Sequence, residues 1–102
     1  MFLPLDGPAA QAKVAVTATT VIEAKAGGST FDERKVISIQ PIGGNLYMYL
    51  GDGSGTPSTS TVQNNGFTLF QNGIYTYEAS ERQKLYILSV TGSINAVISE
   101  RA

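Results

Sequence analysis

Pro41-Ile42-Gly43-Gly44-Asn45-Leu46-Tyr47-Met48-Tyr49-Leu50 is the stretch that decides the fold. Its first half is dense in residues that accept turn geometry. Its second half alternates, with Leu46, Met48 and Leu50 on one face and Tyr47 and Tyr49 on the other, which is the period of a strand. Both faces are apolar enough to be covered. Upstream, Val36-Ile37-Ser38-Ile39 reads as another strand, so the expectation here is a hairpin across the Pro41–Asn45 turn.

The same signals continue outward in both directions. Val14-Ala15-Val16-Thr17-Ala18-Thr19-Thr20-Val21-Ile22 is rich in β-branched residues, and a strand is expected over Lys13 to Ile22. Gly27-Gly28-Ser29-Thr30 marks a turn, and the charges of Asp32-Glu33-Arg34-Lys35 read as a solvated strand entrance. Gly51 to Thr61, made of Gly, Asp, Ser, Thr and Pro, predicts a long surface loop. Asn64-Asn65-Gly66 and Asn72-Gly73 each offer a turn with positive φ, leading into Phe67-Thr68-Leu69-Phe70 and Ile74-Tyr75-Thr76-Tyr77. After the polar break at Ser80-Glu81-Arg82-Gln83, Lys84 to Val90 and Ile94 to Ile98 flank Thr91-Gly92-Ser93 and predict a closing hairpin.

Together these give about seven or eight short strands roughly 8–12 residues apart, with no window of helical period. The fold class expected is all-β: a small antiparallel β-sandwich or small barrel. At 102 residues the chain holds one core. An extended N-terminal arm over residues 1–12 would precede a sandwich domain over 13–102.

Cysteine and histidine are absent, which removes disulfides, thiolate and imidazole metal sites and the usual general bases. The formal net charge of −1 provides no footprint for a phosphate backbone, so nucleic acid is not an expected partner. The opening Met1-Phe2-Leu3-Pro4-Leu5-Asp6-Gly7-Pro8 lacks a basic n-region and is broken by Pro4 and Asp6, unlike a signal peptide. No apolar run approaches the roughly 20 residues of a membrane span. The expectation is a soluble protein, made in a cytoplasm and without a membrane partner.

The search for chemistry yields little. Glu78 and Glu81 are the one carboxylate pair a glycosidase could use, and both flank a polar turn with nothing to raise a pKa. Gly51-Asp52-Gly53-Ser54-Gly55 has the oxygen-rich look of a calcium loop but lacks further carboxylates and the closing bidentate Glu. No phosphate cradle and no nucleophile–base set can be named. We expect no enzyme, no cofactor and no metal.

The residues left to do something are aromatic and apolar. Tyr47, Tyr49, Tyr75, Tyr77 and Tyr86 can pair across strands, pack on a partner protein or stack on a glycan. Phe2, Leu3 and Leu5 flank Pro4, with Pro8 following, in a segment too short for an element of its own; it either lies along a neighbouring subunit or the surface the protein binds, or frays. The interface candidates are therefore Phe2, Leu3, Leu5, Tyr47, Tyr49, Tyr75 and Tyr77.

Val36-Ile37-Ser38-Ile39-Gln40, Gly43 through Gly51, Asn65-Gly66-Phe67-Thr68-Leu69, Gly73 and Lys84-Leu85-Tyr86-Ile87-Leu88-Ser89 resemble, in their order of strands and turns, a small β-sandwich found among bacteriophage virion proteins of the capsid decoration or cement type. The resemblance covers roughly two thirds of the chain and carries no catalytic signature. It implies a jelly-roll-like, often trimeric homo-oligomer on the capsid surface of a virion, with the major capsid protein as partner. The other reading is an adhesion module of a head fibre or tail that binds host glycan.

Overall fold

The computed structural model describes residues 9–102. In chain order the elements are β1 (Ala9–Val16), β2 (Ile22–Glu23), β3 (Val36–Ile42), β4 (Leu46–Leu50), α1 (Thr59–Asn65), β5 (Phe67–Leu69), β6 (Tyr75–Glu78), β7 (Leu85–Ser89) and β8 (Ile94–Arg101). They form two four-stranded antiparallel sheets, β1-β8-β3-β6 and β2-β7-β4-β5.

The pairings β4 with β5, β3 with β6, β2 with β7 and β1 with β8 nest inside one another. They describe one long antiparallel ribbon rolled up on itself, closed by the lateral pairs β8 with β3 and β7 with β4. This is the eight-stranded jelly roll, and the all-β sandwich expected from the sequence stands.

The roll changes what the turns do. β3 and β4 lie in different sheets, as do β7 and β8, so the two expected hairpins are sheet crossings. Gly43, at φ 90°, makes the first bend, and a Cβ on Gly44 would sit 2.8 Å from Ile94 Cγ2. The corner is thus pressed onto the first residue of β8, which a wider side chain would prevent.

Other boundaries move too. The first strand begins at Ala9 and ends at Val16, so residues 9–12 of the expected arm are paired to Ile98–Arg101 of β8. Alternating Ala10 and Ala12 serve as small inward residues there, which the weak β-propensity of alanine conceals. Residues 1–8, with Phe2, Leu3 and Leu5, lie outside the described residues. Inside the expected surface loop and following turn stands helix α1: Ser58 caps it, its hydroxyl accepting from the Thr61 amide at 3.2 Å. Gly66 ends it in an extended conformation, φ −79°, rather than a left-handed one, and donates its amide to the Val62 carbonyl at 2.9 Å. The positive φ expected at the next Asn-Gly is real and falls on Asn72, at 69°.

The core lies between the sheets. Val16, Ile37, Ile39, Ala96 and Ile98 from one sheet meet Leu46, Met48, Leu69, Leu85 and Ile87 from the other. Every residue of β7 is buried, because α1 lies against β4 and β7 on the outer face of their sheet. Val62 and Leu88, both at 0% exposure, sit outside the inter-sheet cluster and form the second, smaller burial beneath that helix. Enclosing a valine this way contributes about 1.5–3 kcal/mol. No helix among the described residues is long and apolar enough to cross a membrane.

Candidate interaction surface

A sandwich has two open sides where its sheets end. Sheet-edge strands β5 and β6 border one of them, each paired on a single side among the described residues. Such edges present unsatisfied backbone groups and invite a partner unless they are covered. Here the side chains invite one as well. The four large hydrophobics that are exposed among the described residues are Leu50 (49%), Phe67 (63%), Phe70 (61%) and Ile74 (70%). Phe67 belongs to β5, Phe70 follows it, Ile74 precedes β6, and Leu50 ends β4 beside β5. Scattered apolar exposure is ordinary, but three of these four residues, Phe67, Phe70 and Ile74, fall within the β5–β6 segment at the sheet edges, where apolar exposure suits an interaction site.

The tyrosines divide according to strand register. Tyr75 and Tyr77 stand opposite Ile39 and Ile37, on the inner face of β6, and pack against the core. The Tyr75 hydroxyl accepts the Phe70 amide at 2.9 Å and so ties the connecting turn to the sheet. Burial, and then the neighbouring Tyr75, push the Tyr77 phenol pKa up. Tyr47 and Tyr49 occupy the other face of β4, half-buried on the side that α1 partly covers. Tyr86, opposite Tyr49, is buried. Sequence reasoning found the tyrosines of this region and passed over Phe67, Phe70 and Ile74; the Asn-Gly turn flanked by single aromatics was the available signal.

A second arrangement was invisible in the sequence. Arg34, expected in a solvated cluster, is 2% exposed, and Glu100 is 0% exposed. Arg34 Nη1 donates to Glu100 Oε2 at 3.0 Å, Nε to the Ala79 carbonyl at 3.0 Å, and Nη2 to the carbonyls of Ser80 and Gln83 at 2.9 and 2.6 Å. Glu100 in turn accepts the amides of Ala26 at 2.7 Å and Phe31 at 3.0 Å. One ion pair thereby pins the β2–β3 loop and the β6–β7 loop onto the end of β8. Among the described residues no buried side-chain nitrogen or oxygen lacks a partner, so the pair is a satisfied clamp with no free valence for chemistry.

The remaining polar groups are equally occupied. Asp52 Oδ1 accepts from Ser54, from its amide at 3.0 Å and from its hydroxyl at 2.5 Å, which holds the carboxyl below its usual pKa. That is an Asx turn, a local bend of the loop. Glu23 receives the Thr30 hydroxyl and lies 3.7 Å from Lys84 Nζ and 3.8 Å from Lys25 Nζ, beside a depression of about 420 Å³ around edge strand β2. No group of three metal-ligating side chains gathers among the described residues.

The outer face of the β1-β8-β3-β6 sheet is shallowly concave, with about 310 Å³ lined by Gln11, Ser38, Ile39, Gln40, Ile74, Val97 and Ser99. Of the two sheets it is the one without a helix against its outside, and its lining bears no formal charge. No protein-family model matches the chain, and no curated protein is similar enough to it to count as a relative.

Proposed function

We propose that the protein is a structural component of a bacteriophage virion that decorates the outer capsid surface and cements capsomer joints. The observation that carries this reading is the exposure of Phe67, Phe70 and Ile74 on and between the edge strands β5 and β6, with Leu50 exposed at the end of neighbouring β4. A surface of that kind costs solubility when left bare and contributes binding free energy when covered. Cementing demands no reaction: it needs a rigid module, an adhesive side and many copies acting together. The jelly roll supplies the first, and the nested pairing makes it stiff. The major capsid protein is the partner, and a trimer, in which copies cover one another's edges, is the oligomer that fits a capsomer junction.

The test is co-sedimentation of the purified protein with expanded, empty capsids, together with its oligomeric state. Saturable binding and a higher capsid melting temperature are the expected results. A monomer that neither sediments with capsids nor raises their melting temperature ends the proposal.

A further inference from the structure

The outer face of the β1-β8-β3-β6 sheet carries a feature the cement role does not use. In the pairing register Gln11 stands beside Ser99, Ser99 beside Ser38, and Ser38 beside Thr76, so one row of hydrogen-bonding side chains crosses all four strands. The row carries no charged side chain. In the next row Lys13 stands beside Val97 and Val97 beside Gln40. The charged residues of the same face, Lys13, Glu78 and Arg101, stand outside the concavity and carry both signs, so nothing there selects an anion.

Three of the polar groups are held in place. The hydroxyls of Ser38 and Thr76 are hydrogen-bonded to each other at 2.9 Å. The Gln40 amide nitrogen donates to the Asn72 carbonyl at 3.2 Å, which fixes the amide plane and leaves its oxygen to accept from elsewhere. Val97 and the 70%-exposed Ile74 add an apolar floor and wall. Successive strands step by about 4.8 Å, so the row presents donors and acceptors over about 14 Å. An uncharged ligand with hydroxyls on its rim, hydrocarbon on its ring faces and a repeat near one strand spacing satisfies every part of this lining. That chemistry is a neutral pyranose oligosaccharide.

We infer that the concave outer face of this sheet is a binding site for a neutral oligosaccharide chain, with Gln11 and Gln40 as its main hydrogen-bonding residues and Ile74 as its apolar wall. The site shares Ile74 with the apolar side assigned to capsid attachment and is otherwise built from residues that side does not use.

The test is a nuclear magnetic resonance titration of the assembled protein with cellohexaose, maltohexaose and mannohexaose in turn. At least one should shift the amides of residues 11, 38, 40, 97 and 99 together, in a saturable manner. Removing the amides in Gln11→Ala/Gln40→Ala should weaken that binding about tenfold or more without moving the melting temperature. Phe67→Ser, which lies on the capsid-facing side, should leave it unchanged. Absence of saturable shifts with all three sugars, or an affinity unaltered in the double variant, overturns the inference while leaving the capsid proposal standing.

Discussion

Arg34 and Glu100, 66 positions apart in the chain, meet in the interior as an ion pair 3.0 Å long from which water is excluded. Two charges withdrawn from solvent are costly unless their remaining hydrogen-bonding capacity is filled. Main-chain amides and carbonyls from two loops fill it here. The pair therefore closes the β2–β3 and β6–β7 loops onto β8.

Breaking the pair from one side should be severe. Arg34→Met leaves a buried carboxylate uncompensated and should cost about 3–5 kcal/mol, read as a lower midpoint in urea unfolding. The double variant Arg34→Met/Glu100→Gln, which leaves no buried charge, should recover part of that loss. Equal midpoints for the single variant and the wild type would show that the clamp does not hold the loops.

The short helix makes its own prediction. Val62→Ala should cost about 1–3 kcal/mol by opening the burial over Leu88, and Ser58→Ala about 1 kcal/mol through the lost cap. Gly66→Ala should be worse than its size implies, because the new Cβ would meet the carbonyl oxygens of Val62 at 2.5 Å and Met48 at 3.0 Å. Both of those atoms are backbone, so a strand or the helix must shift. Thermal melts of the three variants check the order.

On the exposed side, Phe67→Ser and Phe70→Ser should change stability by no more than about 0.5 kcal/mol, because neither ring is enclosed by its own chain. Each should nevertheless reduce capsid binding, and the pair should abolish it. Co-sedimentation measured beside the melting temperature separates adhesion from folding.

Tyr77 links stability to alkaline pH. Its folded pKa is raised, so the phenol is neutral in folded and unfolded chains alike at pH 7, and its contribution is intact there. As pH climbs past the unfolded tyrosine value of about 10, the unfolded chain loses this proton first, and stability falls until the folded phenol ionises as well. Tyr77→Phe should flatten that decline in unfolding measurements from pH 9 to 12, with phenolate absorbance locating the titration.

The strands were legible because alternation survives in every one of them that faces the core: Leu46 and Met48, Ile37 and Ile39, Leu85 and Ile87. Which strand lies beside which was not. An inward face looks the same in sequence whether the next strand pairs alongside or crosses to the opposite layer, so Gly43-Gly44 and Thr91-Gly92-Ser93 read as hairpin turns and act as sheet crossings. Helix α1 escaped because one residue, Val62, bears its entire apolar signal, and its serines and threonines are also what a loop contains. Arg34 escaped for the opposite reason: its neighbours Asp32, Glu33 and Lys35 are not buried, and only its partner 66 residues away explains why it is. Of the candidate interface residues, Tyr75 and Tyr77 pack against the core, and the aromatic rings that reach solvent most fully belong to Phe67 and Phe70.

Rolling the ribbon brings Ala9 level with Arg101, as direct partners in neighbouring strands. A brief linker from Ala102 back to Ala9 would therefore join the sequence into a circle without strain. New termini could then be opened at Gly53-Ser54-Gly55, where every residue is exposed. Cargo joined directly ahead of Ala9 or after Ala102 would leave from a single corner, which makes the sandwich a ready scaffold for displaying two peptides side by side.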